Sequence, residues 1–361
     1  MKLKNLTKYI IAAIIIAGVL YTIITNLYTG AKHTTTSFAL NTYTSITAYG
    51  KNGAVASENA KNEVSEVEKS FSAYVDTSEI SKINNIKTKD VPIKVSDELF
   101  YIIKTAQKYS DMSDGMFDIT LKPVLDLWSI SRNPRVPSVE EINDALLRTG
   151  YKNIVLDEEN KTITFLKDGM ALDLGAIAKG YAADRACDAL YSAGCEKALV
   201  DLGGNICVMG ENVTPGEKLV NRFFGANKKG EWTIGIQTPF ASSGSYCAIV
   251  SICASDKTSV VTSGAYERNF TEDGILYHHI FNPKTGYPHN GEVDSVTIIG
   301  QSSMEADVLS TSAFILDIDS AIKLVKECGY DAVIIDKNKK IHTTLDKGNV
   351  EIVDSLYSFA N

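Results

Sequence analysis

The 361-residue sequence predicts an α+β fold, mixed sheets with packed helices, preceded by one N-terminal transmembrane helix. Three observations predict it. Apolar residues recur with helical spacing in some stretches and alternate in others, without the regular β-α-β rhythm of a doubly wound sheet. A hydrophobic share of 44% is ample for a packed core of one large or two modest domains, and nothing in the composition suggests disorder or a short repeat. A long uncharged run stands near the start.

That run is YIIAAIIIAGVLYTIITNLY, Tyr9 to Tyr28, preceded by Lys2, Lys4 and Lys8. It has about the length needed to span a bilayer as a helix, and its positive flank is the end kept inside. The organisation expected is a cytoplasmic flank over 1–8, a span over 9–28, a linker over 29–37 and one folded domain over 38–361, anchored in the cell membrane by a single pass and extracytoplasmic. A cleaved signal peptide competes with this reading, but the run is long for one and no A-x-A site follows cleanly. No Cys lies near its end, so a lipid anchor is not expected.

The net charge is −8, and the first thirty residues carry no acid, so the rest is more acidic still. Such a surface argues against nucleic acid or anionic lipid as a partner and tends to gather divalent cations. The six cysteines, Cys187, Cys195, Cys207, Cys247, Cys253 and Cys328, form no C-x-x-C and no Cys/His cluster, so zinc is not expected. An even count outside the membrane allows disulfides without assigning them, and buried free thiols would look the same.

Along the domain, TSFALNTYTSITAYG alternates like a strand and Ala54–Tyr74 reads as a helix with a charged outer face. DTSEISKIN is a turn with a short helix, and Ser96–Ser113 is another helix. PSVEEINDALLRTG carries a capping box, Ser138 with Glu141, and Gly150 as its stop. NIVLDEENKTITFL reads as a hairpin. MALDLGAIAKGYAADRACDAL passes from a short apolar strand through Gly175 into a helix, and KALVDLGGNICVMG is a buried strand broken at paired glycines. Strands are expected in EWTIGIQTP, YCAIVSICAS, SVVTSG, ILYHHIF and DSVTIIG. The helix in SSMEADVLSTSAFIL leads into a second, DSAIKLVKECGY, and a last strand, DAVIID.

Several stretches place polar groups where a core alone would not want them. In the helix from Ser302 to Leu316, Asp307 and Thr311 stand four apart on one face; a carboxylate there must be paired, metal-bound or at a cavity rim. Carboxylate and hydroxyl are hard oxygen ligands, suited to Mg²⁺. LDLGAIAKG turns at Gly175 into a helix start whose free N–H groups can hold an anion, with Lys179 one turn on; a tight packing turn with a solvated Lys is the plain alternative. It is not a P-loop. DGMFDIT, DLGGN and TSGAYERNF could each be a site rim or an ordinary turn. Of the adjacent pair His278 and His279, only one can face a given side of a strand, so the two cannot clamp a metal; His279 could be a general base or a structural histidine.

Taken in order, FSAYVDTSEISKIN, DGMFDITLKPVLDLW, LDLGAIAKGYAAD, LVDLGGNICVMG, VVTSGAYERNF, HHIFNPKTGYP and SVTIIGQSSMEADVLSTSAF resemble the ApbE family, the FAD:protein FMN transferases. The family's Met-Gly-Thr near its first strand stands here as Leu-Asn-Thr, 40–42. The resemblance implies the T-fold-like ApbE architecture and an enzyme that cleaves FAD as substrate. It would transfer FMN to a Thr or Ser hydroxyl of an acceptor flavoprotein and release AMP. The acceptor would be a flavoprotein subunit of a membrane redox complex, modified in a D-x-x-[ST]-G-A-[ST]-like motif. It further implies flavin or adenine contacts at Leu40, Tyr74, Met116, Phe117, Asp118, Asp173, Lys179, Ile280 and Phe281, with Ser263 and Tyr266 near the substrate. It implies Mg²⁺ on Asp307, Thr311 and the Ala176 carbonyl, and catalytic roles for His279 and Lys179. An FAD pyrophosphatase and a non-catalytic FAD-binding protein are the rival readings.

Overall fold

A computed structural model describes the protein over residues 2–29, 32–213, 230–254 and 256–360, and along the first helix it describes the side chains of 8–21. Helix α1 (Lys2–Thr29) leads the chain, and Ile10, Ile14 and Val19 are exposed on it. Among the described residues no helix is long and apolar enough to cross a membrane. The expected span Tyr9–Tyr28 lies partly outside the residues whose side chains are described.

Where the sequence predicts a single strand, β1 (Lys32–Ala39) and β2 (Thr42–Tyr49) form an antiparallel hairpin. Leu40 and Asn41 take φ of 53° and 59°, the left-handed pair of a tight two-residue turn. Leucine is an unusual residue for that conformation, which hides the turn in the sequence. Most of the expected linker is therefore strand, from Lys32 on. Helix α2 (Gly53–Phe71) buries Ala56, Ala60, Val64, Val67 and Phe71, a stripe at helical spacing, and leaves its charged face outside. Helices α3 (Glu79–Asn84) and α4 (Asp97–Met112) start at Ser78 and Ser96, whose hydroxyls accept N–H groups of their first turns. Strand β3 (Ile93–Lys94) lies between them.

After α5 (Lys122–Trp128), the capping box of α6 (Val139–Leu147) is formed in both directions. That helix ends before Gly150, which opens a short 3-10 turn instead of stopping the helix. Strands β4 (Ile154–Asp157) and β5 (Thr162–Phe165) make the expected hairpin. The segment 170–174 is not the strand its apolar pattern suggests. The Asn84 side chain donates to the Leu172 carbonyl at 2.8 Å and accepts its N–H at 2.7 Å, so a buried amide satisfies backbone that a neighbouring strand would otherwise pair.

Helix α7 (Ala178–Ser192) follows, then β6 (Lys197–Leu202) and β7 (Asn205–Met209), joined by Gly203 and Gly204 at positive φ. The remaining strands before the last helices are β8 (Glu231–Gln237), β9 (Tyr246–Cys253), β10 (Lys257–Gly264), β11 (Asn269–Glu272), β12 (Ile275–His278) and β13 (Val293–Gly300). Helices α8 (Ser303–Ile315) and α9 (Ile318–Glu327) precede β14 (Asp331–Asp336). The expected last strand is not the last: β15 (Lys340–Thr343), β16 (Val350–Ile352) and β17 (Ser358–Phe359) follow.

The main sheet has the order β1-β2-β6-β7-β10-β13-β14-β15-β17, antiparallel at every pairing but the final β15–β17. Its period-two alternation divides the core. Cys207, Val261, Ile298 and Ile334 join the helices α2, α7 and α8 on one face. Their neighbours Val208, Val260, Ile299, Val333 and Ile335 pack on the other face against the small sheet β16-β9-β8, around Trp232 and Val250. The molecule is thus an α+β sandwich of helices, large sheet and small sheet. A third small core gathers Trp128, Ile142 and Phe281 under α5 and α6.

Candidate active site

Helix α7 opens at Ile177 without a side-chain cap of its own. A carboxylate from α8 takes that place. Asp307, 2% exposed, accepts the Gly180 N–H at 2.9 Å and the Lys179 ammonium at 3.0 Å. Gly180 permits the approach: a Cβ there would stand 2.3 Å from the Ser303 carbonyl oxygen and 2.6 Å from Met304 Cα. The exchange is mutual, because Asp184 of α7 accepts the N–H groups of Ser303 and Met304, each at 2.9 Å, and so caps α8. Unpaired N–H groups and the helix dipole favour a carboxylate at both starts. The expectation of free N–H groups at the α7 start is therefore corrected at Gly180, whose donor is held by the chain's own aspartate.

Ala176 stands just before the helix, whose first intrahelical acceptor is the Ile177 carbonyl, taken by the Tyr181 N–H at 3.0 Å. The Ala176 carbonyl accepts no hydrogen bond among the described residues. An unengaged carbonyl, a buried carboxylate and the Thr311 hydroxyl are all hard oxygen donors, the chemistry that fits Mg²⁺. Thr311 lies 3.4 Å from the Ser263 hydroxyl on β10, and Ser263 lies 2.8 Å from Ser310. The sequence-predicted Asp307, Thr311, Lys179 and Ser263 thus come together at the crossing of α7, α8 and β10.

The two histidines part as strand alternation requires. His278 is buried; its Nε2–H donates to the His289 carbonyl at 2.6 Å and its Nδ1 accepts the Ile280 N–H at 3.2 Å. With both nitrogens used and burial opposing charge, its pKa falls to about 4. His279 faces the other way. Its Nδ1 contacts the Arg268 carbonyl at 3.3 Å, and a carbonyl can only accept, so Nδ1 carries the proton and Nε2 is left as the basic nitrogen. Burial first, then the cations Arg268 and Lys179, hold its pKa well below the ordinary histidine value, so the ring is neutral at neutral pH. Tyr266 is half-buried beside Phe240, ring centres 6.0 Å apart, and burial pushes its hydroxyl pKa up.

A second group gathers around Tyr74, whose ring is half-exposed under the cations Lys122, 4.9 Å from its centre, and Arg132, 4.5 Å away. Burial and the adjacent carboxylates of Asp173 and Asp126 push its hydroxyl pKa up. Asp173 also accepts the Gly175 N–H at 2.8 Å, which folds the turn leading to α7, and its own N–H bonds to the Ile119 carbonyl at 2.8 Å. The 114–120 loop is thereby laid beside that turn. A Lys284–Asp114 ion pair at 2.9 Å ties the same loop to the 282–286 turn.

Other expected contacts have mainly internal partners. Asp118 accepts from the Thr120 N–H and hydroxyl at 2.8 and 2.6 Å and from the Tyr151 N–H at 3.0 Å, so its carboxylate holds its own loop. Phe117, Ile280 and Phe281 are buried, while Met116 and Leu40 are partly exposed beside the main core. The Leu40 N–H is fixed by Glu68 at 2.8 Å, and the Thr42 hydroxyl lies where a Cβ on Gly203 would sit, which brings the first hairpin to the 203–204 turn. Sequence reasoning missed Arg268, Glu267, Lys122 and Arg132. Arg268 and Glu267 stand inside the quoted TSGAYERNF, next to Tyr266, and Lys179 and Arg268 are the cations that act on Glu267.

Residues 40–334 match the ApbE family. A FAD:protein FMN transferase of Klebsiella pneumoniae (strain 342) is 35% identical over 266 residues, 73% of this chain and 77% of that protein. One from Treponema pallidum (strain Nichols) is 32% identical over 324 residues, 87% of each. Among solved structures, the ApbE protein of Thermotoga maritima superposes with a TM-score of 0.75 at 33% identity, covering 86% of this chain and 96% of that one. The flavin transferase ApbE of Vibrio cholerae gives 0.73 at 26% identity, covering 87% and 97%.

Proposed function

This chain belongs to the ApbE family, and from that premise we propose that it transfers FMN from FAD to an acceptor protein. The observation that carries the reading is one cluster: Lys179 on Asp307, Thr311 and Ser263 beside them, and His279 within the field of the same lysine. The acceptor hydroxyl attacks the FMN phosphorus; a new O–P bond forms, the P–O–P bridge breaks, and AMP leaves with the bridging oxygen. His279 Nε2 takes the hydroxyl proton. Lys179 meets the negative charge of the pyrophosphate while Asp307 holds its ammonium in place. Asp307, Thr311 and the Ala176 carbonyl would hold Mg²⁺. When bound, that ion neutralises phosphate charge and eases departure of AMP. Tyr74, with Arg132 and Lys122 over its half-exposed ring, offers a flat face for the isoalloxazine or adenine of FAD.

The acceptor is a flavoprotein subunit of a membrane redox complex, modified at the Thr or Ser of a D-x-x-[ST]-G-A-[ST]-like segment. The domain works outside the cytoplasm, held to the membrane by its N-terminal segment; the uncharged run Tyr9–Tyr28 behind Lys2, Lys4 and Lys8 supports that placement. The test is to incubate the protein with FAD, Mg²⁺ and an acceptor domain and weigh the acceptor. An FMN adduct is expected. Free FMN and AMP without an adduct would mean a pyrophosphatase; unchanged FAD would mean a binding protein.

A further inference from the structure

We propose that Cys187 and Cys207 form a disulfide when the protein folds in an oxidising compartment, clamping α7 to the large sheet behind the candidate site. The inference does not depend on the transferase reading. The Sγ atoms lie 3.0 Å apart, about 1 Å beyond a covalent S–S bond. Cys187 is on α7 and Cys207 on β7, 2% and 0% exposed, in the same core. Cys195 and Cys247 instead contact backbone carbonyls, of Tyr49 and Lys197 and of Ile236 and Gln237, while Cys253 is exposed and Cys328 half-buried.

The elements joined by this pair support the site. Cys187 is seven residues past Gly180, whose N–H holds Asp307. Two residues before Cys207, the buried Asn205 accepts the Ser303 hydroxyl at 2.6 Å at the start of α8. A bond between them would fix α7 and the β6–β7 hairpin as one body.

The step is thiol–disulfide exchange with a disulfide oxidant. One thiolate attacks the oxidant's S–S bond and releases one thiol; the second thiolate attacks the mixed disulfide and releases the other. The protein pair loses two electrons and two protons, and the oxidant becomes two thiols. Contact with Cys207 and burial keep the Cys187 thiol protonated once α7 has docked, although Lys257 favours the thiolate. Exchange therefore belongs to the folding chain, before the helix closes over the pair.

The experiment is to unfold the full chain with reductant and refold it in mixed oxidised and reduced glutathione. It is then denatured and alkylated with iodoacetamide, with and without prior reduction. Six alkyl groups are expected after reduction and two fewer without it, and a non-reducing digest should yield a Cys187–Cys207 peptide that reduction splits. Six groups under both conditions, glutathione adducts, or a linked peptide joining other cysteines would overturn the proposal. In Cys187→Ala every remaining thiol should alkylate without reduction; a blocked pair would sink the assignment. The linked protein should also melt several degrees above its reduced form, and equal melting temperatures would refute the clamp.

Discussion

Asp307 is bound twice over, by an ammonium and by a backbone N–H, so removing its side chain has two separable effects. Asp307→Ala is expected to abolish Mg²⁺-dependent FMN transfer, read as the mass adduct. It should also lower folding stability by about 1–3 kcal/mol in urea titrations, because Gly180 N–H loses its buried partner. Unchanged turnover would refute the metal assignment. His279→Ala should slow transfer about 100-fold or more while FAD affinity, followed by flavin fluorescence, moves only a few-fold. For His278 the prediction concerns acid stability. Unfolded, it takes a proton near pH 6.5; folded, only near about 4. Its contribution is therefore intact above pH 6.5 and is lost as pH falls toward 4, by about 3 kcal/mol in all. Denaturant titrations from pH 7 to 4 should show a shallower loss in His278→Gln; identical slopes would contradict the buried neutral ring. At this scale the sequence told that the two histidines must face opposite ways, without saying which is buried, and that Asp307 must be paired, metal-bound or at a cavity rim. It could not name Lys179, because the two meet across 128 residues.

Between α7 and α8, each helix supplies the carboxylate that caps the other, and Gly180 lies against the Ser303–Met304 backbone with no room for a Cβ. Gly180→Ala must push the Ser303 carbonyl and Met304 backbone away, and neither is the end of a flexible side chain. We expect a loss of about 1–3 kcal/mol in denaturant titrations and a fall in transfer rate, since Asp307 moves with α8. Full stability with full activity would show that the crossing is not constrained there. Helices with strong local signals, such as α6 with its Ser138–Glu141 box and α4 starting at Ser96, were readable within a residue or two. The elements that escaped were set by distant partners. The segment 170–174 looked like a strand, but the Asn84 amide pairs its backbone. The turn at Leu40 and Asn41 was hidden because nothing about leucine announces a positive φ.

At the scale of the molecule, the mixture of helices and strands without a β-α-β rhythm made the α+β class readable, while the division into two cores by alternation along β10 and β13 is visible only in the structure. Strand order could not be read either, since neighbours such as β2 and β6 are far apart in sequence. If α1 serves only to hold the domain at the membrane, deleting residues 2–31 should leave kcat within about two-fold and release the enzyme from the membrane fraction to the soluble one. A large loss of kcat would show that the helix contributes to the domain itself.

The first hairpin bears on what the enzyme can reach. Lys32 is already hydrogen-bonded sheet, paired with Tyr49, and follows Thr29, the last residue of α1, by three peptide steps. Three steps span at most about 11 Å. The leash is therefore short: if α1 is placed in the bilayer as proposed, the catalytic domain would patrol only a thin layer above the lipid. Acceptors sharing the membrane would then meet it at a raised local concentration, and freely diffusing proteins would meet it rarely. Selection among targets would then rest partly on geography as well as on the residues around the modified hydroxyl.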